Sequence, residues 1–83
     1  MYRKHLFAIR KKYSITQKEL AEIIGISEVY VRKIEKGVVK PGRDTMLKYE
    51  YFFNVDIKKL FPDIFLHIND KKVIKSVRRS INN

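Results

Sequence analysis

Two short helical segments stand three residues apart in the middle of this chain, and that spacing limits its folds more than any other feature. Thr16, with Glu19 three positions later, has the capping-box pattern, in which each side chain satisfies a backbone N–H at a helix start. Leu20, Ala21 and Ile24 then fall on one face. Gly25 supplies a stop where a positive φ meets no Cβ clash. Ser27 is the next cap, Val31 and Ile34 point inward with Tyr30 beside them, and Gly37 ends the run. The pattern predicts helices over 17–24 and 28–36. With only Gly25, Ile26 and Ser27 between them, the two must turn sharply against each other.

Other elements follow from periodicity. Leu6, Ile9, Arg10 and Tyr13 recur at i, i+3, i+4 and i+7, with Tyr2 one turn earlier, which predicts a helix over 3–12. Residues 37–42 contain Pro41 and read as a loop. Met46, Leu47, Tyr49 and Phe53 give an inward face to a helix over 43–53. Tyr51, Phe52 and Phe53 cannot all point inward, and Phe52 is the expected surplus, free for a partner surface. Asp56 caps a short helix over 57–61, which Pro62 stops. The body is therefore all-α with five helices, a domain over 1–62 and a basic extension over 63–83. In that extension Val73, Ile74, Val77 and Ile81 favour an amphipathic helix capped by Asp70. Paired strands over 64–68 and 72–77 are the alternative.

Composition narrows the partner. Hydrophobic residues make up 45% of the 83, too many for a disordered chain. Nineteen Lys and Arg against nine Asp and Glu give +10. An imbalance of that size points to a polyanion, first nucleic acid and then an anionic membrane surface, with mere solubility as the bland alternative. No cysteine is present to form a disulfide or thiolate site. The apolar run 6–9 is too short for a signal peptide or membrane span, so a cytoplasmic location is expected. His5 and His67 are isolated, and none of the three glycines forms a phosphate-binding loop. No metal, cofactor, small-molecule substrate or enzymatic activity is expected.

The predicted helix over 28–36 has two faces. Val31 and Ile34 are committed inward, while Glu28, Val29, Arg32, Lys33 and Lys36 occupy the other side. An ordinary solvated face would look the same, but so would a helix that reads base edges in a DNA groove. The offsets of Leu6, Ile9, Arg10, Ile15, Thr16, Gln17, Leu20, Ala21, Gly25, Ser27, Val31, Ile34, Glu35, Gly37, Pro41 and Leu60 closely resemble the Cro/cI-type helix-turn-helix family of phage-repressor-like regulators. The resemblance runs from about Leu6 to Phe61 and implies a lambda-repressor-like fold.

The resemblance also implies roles. Gln17, at the start of the second helix, would bond a DNA phosphate, where free N–H donors suit an anion. Lys18, Lys36, Lys40 and Arg43 would lie along the phosphate backbone. Ser27, Glu28, Val29, Arg32 and Lys33 would face base edges. Arg10 and Glu35 match a partly shielded structural ion pair. The partner would be double-stranded DNA, bound by a homodimeric, bacterial or phage-encoded, nucleoid-associated repressor. The apolar stretch 64–68 lies beyond the resemblance and is expected to serve dimerisation, with Phe61, Ile64, Phe65 and Leu66 as contacts, or to cover the core. An antitoxin or restriction-control regulator that also binds a protein is the neighbouring alternative, and a peripheral membrane protein is a more distant one. Two departures stand out: Ser14 where the family often has Gly, and Glu50 where it favours Ala. The corner at Ser14 is expected to differ, and Glu50 to turn outward or find a cation.

Overall fold

The computed structural model describes residues 2–68, and within them every regular element is a helix. In order these are α1 (Lys4–Lys12), α2 (Gln17–Ile24), α3 (Glu28–Lys36), α4 (Arg43–Phe53), α5 (Ile57–Leu60) and α6 (Pro62–Ile68). The helix expected around 73–81 and the alternative strand over 72–77 lie outside the described residues.

Local chemistry sets the ends of the central helices. Thr16 and Glu19 form the full capping box at the start of α2, and Gly25 closes it at φ 76°. Ser27 Oγ accepts from the Tyr30 N–H at the start of α3, and Gly37 closes that helix at φ 77°. The α2–α3 pair is the most closely packed in the domain. α4 crosses α2 and leads into α5, while α1 and α5 pack together.

The core lies where these helices converge. Leu6 of α1, Leu20, Ala21 and Ile24 of α2, and Val31 and Ile34 of α3 meet Met46, Tyr49 and Phe53 of α4, closed by Leu60 and Phe61. Edge-on aromatic packing joins Tyr49 to Phe61 and Phe53 to both Tyr13 and Phe52. Burial of a large apolar side chain contributes about 1.5–3 kcal/mol.

Several expectations are corrected. A sixth helix is present. Pro62 ends α5 and also opens α6, because its missing N–H is harmless at a first helical position. Ile64–Ile68 is therefore helical, not a strand. The buried stripe of α1 begins at Arg3, and Tyr2 is exposed. Leu47 lies largely at the surface. The surplus aromatic of α4 is Tyr51, 81% exposed, while Phe52 rests half-buried against Tyr13 and Phe53. At the corner after α1, Ser14 takes a left-handed conformation at φ 57°, at a cost glycine would avoid. Among the described residues Glu50 meets no cation: its carboxylate turns to accept the Ile57 N–H and caps α5.

Candidate nucleic-acid interface

α3 is fixed along one side and bare along the other. Val31 and Ile34 have no exposed surface. Behind them Arg10 and Glu35 meet in a buried, two-point ion pair. Arg10 Nε donates to Glu35 Oε2 at 2.6 Å and Nη2 donates to Oε1 at 3.1 Å. Arg10 Nη1 also donates to the Ile15 carbonyl at 2.8 Å, tying the α1–α2 corner to the same group. The Phe7 ring lies against the guanidinium, with its centroid 5.3 Å away. Gln17 Nε2 donates to Glu35 Oε1 at 3.1 Å, so the first residue of α2 is joined to α3 through a shared carboxylate.

Beside this network lies Tyr49, whose hydroxyl is buried without a hydrogen-bond partner among the described residues. Burial, and next the Glu35 charge, push its phenol well above the ordinary range. It stays neutral.

The opposite side of α3 is open. Ser27, Glu28, Arg32, Lys33 and Lys36 are exposed, and Val29 is 47% exposed. Lys18 stands exposed on α2, and Lys40 and Arg43 on the loop and the start of α4. Among the described residues, ion pairs engage only Arg3 and Arg10, so these cations keep their charge for an outside anion. Ser27 Oγ is already used as an acceptor by its own helix, which leaves its hydroxyl hydrogen for a ligand. Arg10, Lys11, Ser14, Thr16, Gln17 and Glu28 line an open depression where α1, α2 and α3 approach one another.

Sequence reasoning missed Arg3. It is 4% exposed, and its backbone N–H donates to the Glu35 carbonyl at 2.8 Å. Its Nη1 donates to the Ile34 and Val39 carbonyls at 2.6 and 2.9 Å. Its Nε lies 3.2 Å from both Asp63 carboxylate oxygens, and Nη2 lies 3.1 Å from Oδ2. The signal was present in part: Arg3, Leu6 and Arg10 share a helical face at i, i+3 and i+7. Phe61 is also corrected. It was expected at a dimer surface, yet it has no exposed area and packs against Tyr49. Ile64 and Phe65 are half-buried and pack against the core, and Leu66 falls within α6.

Two helices in a sharp turn, the second anchored behind and polar in front, define a helix-turn-helix domain. A family model described as helix-turn-helix matches residues 6–60, and the chain belongs to that Cro/cI-type family of DNA-binding regulators. A protein of Methanocaldococcus jannaschii, described as an uncharacterised HTH-type transcriptional regulator, is 34% identical over 62 residues. The match covers 75% of this chain and 88% of that one. No solved structure matches the chain. Among the described residues no helix is long and apolar enough to cross a membrane.

Proposed function

We propose that the chain is a sequence-specific transcriptional repressor that binds double-stranded DNA as a homodimer, with α3 in the major groove. The observation that carries this is the pairing of opposite sides on α3: a buried ion pair behind, and exposed Glu28, Val29, Arg32 and Lys33 in front. Arg32 and Lys33 donate to guanine O6 and N7, Glu28 accepts from cytosine N4, and Val29 touches a thymine methyl. Ser27 completes the base-facing set. Gln17, Lys18, Lys36, Lys40 and Arg43 hold phosphates and set register without choosing sequence. Gln17 keeps one amide hydrogen for a phosphate while the other binds Glu35.

One domain presents one reading helix, so a stable specific complex calls for two copies. Ile64, Phe65 and Leu66 of α6 are the proposed contacts. Selection of bound sequences from random duplexes tests the whole reading. The expected result is a palindrome whose half-sites lie about 34 Å apart. Binding without sequence preference would overturn the repressor assignment, and a single unpaired half-site would overturn the homodimer.

A further inference from the structure

We propose that Arg3 is a positioning residue for DNA binding. Through Asp63 and two backbone carbonyls it sets the last turn of α3 and the following loop at the height where Lys36 and Lys40 reach phosphates. This deepens the reading above and rests on it.

Burying a guanidinium costs several kcal/mol unless its donors are matched, so its partners indicate what it is there to hold. One nitrogen of Arg3 bonds carbonyls on both sides of Gly37: Ile34 in the last turn of α3 and Val39 in the loop. The main-chain N–H of Arg3 takes a third carbonyl, that of Glu35. The atoms gripped are therefore backbone, and they border the two lysines. Glu35 precedes Lys36, and Val39 precedes Lys40. Both lysines are exposed and free of ion pairs among the described residues.

Asp63 holds the other edge of the planar fork and thereby fixes its direction. The Phe61 ring, its centroid 5.9 Å from the guanidinium carbon, closes the site from the core side. The matched helix-turn-helix segment covers residues 6–60, so Arg3 and Asp63 lie just beyond its two ends. The loop is thus braced by residues that the shared motif does not contain.

The test uses the full chain, a random-sequence DNA duplex and a salt series, at a temperature where circular dichroism reports each variant folded. Arg3→Met is expected to weaken binding about three- to tenfold, the order for one or two phosphates no longer neutralised. The plot of log K against log salt should flatten by about 0.9 for each such phosphate, a change that reduced stability alone does not produce. Lys40→Ala should cost less in the Arg3→Met background than in the wild type, because its phosphate is already out of reach.

Asp63→Asn keeps the side-chain shape and carries the same test if Arg3→Met does not fold. It is expected to flatten the slope in the same direction. Folded variants with wild-type affinity and slope, or an undiminished Lys40→Ala effect, would overturn the positioning role alone. A wild-type chain that does not bind the duplex would overturn the DNA reading and this role with it.

Discussion

Arg10 and Arg3 are the same side chain on the same helical face, both buried, both against a phenylalanine ring, and both tied to α3. They hold it by different means. Arg10 reaches a side chain, the Glu35 carboxylate, and the match of charge and fork fixes α3 against α1. The Arg3 side chain reaches α3 and its loop only through main-chain carbonyls, and its one carboxylate comes from α6. A side-chain pair leaves a trace at two positions in a sequence. A side chain bound to carbonyls leaves a trace at one, because every residue carries the acceptor. The first arginine orients α3 as a body, and the second adjusts where its last turn meets the loop.

Substitutions at and around the two arginines test that contrast. Glu35→Ala has the largest expected effect, since it strands the buried Arg10 charge. A loss of about 3–5 kcal/mol is expected in urea unfolding, much of the stability of a domain this size. Asp63→Ala is expected to cost less, about 1–3 kcal/mol by the same measurement, because Arg3 keeps its carbonyl acceptors and the Asp63 carboxylate is partly hydrated. Equal losses at the two sites would erase that difference between the arginines.

Smaller changes probe the surroundings of each arginine. Ser14→Gly relieves the left-handed corner next to the Ile15 carbonyl that Arg10 holds, and should gain about 1 kcal/mol. Seen as a melting temperature, that gain is a rise of about 4–8 °C. Tyr49→Phe removes the buried hydroxyl that has no partner among the described residues. It should leave stability unchanged or raise it by up to about 1 kcal/mol. A clear loss on Tyr49→Phe would overturn the reading of this hydroxyl as unbonded.

The same contrast explains how much is legible in the sequence. The bounds of α2 and α3 follow from caps and stops written in single residues, Thr16, Gly25, Ser27 and Gly37, and those of α4 from the spacing of Met46, Tyr49 and Phe53 after the Pro41 loop. Arg10 and Glu35 are visible because a resemblance carries both side chains at fixed offsets. Arg3 gives no such sign, since a cation at a helix start is ordinarily solvated and nothing local points to Asp63. Pro62 reads only as a stop, although the same missing N–H suits a beginning. Phe61 falls outward only while no helix follows it, and with α6 in place it becomes core. The base-facing residues of α3 are legible as a face. Their individual partners depend on a duplex whose sequence is not written in the protein.

Sequence separation gives the two arginines different reach along the chain. Arg10 and Glu35 are 25 positions apart, whereas Arg3 and Asp63 are 60 apart. Closing the longer loop costs about 0.8 kcal/mol more in chain entropy. Arg10 thus closes a local loop within α1 to α3, Arg3 closes nearly the whole of the described domain, and both contacts form as the domain folds as a unit. A chain interrupted before residue 63 would keep the partner of Arg10 and lose the carboxylate of Arg3, leaving α3 oriented as a body but unbraced at its last turn.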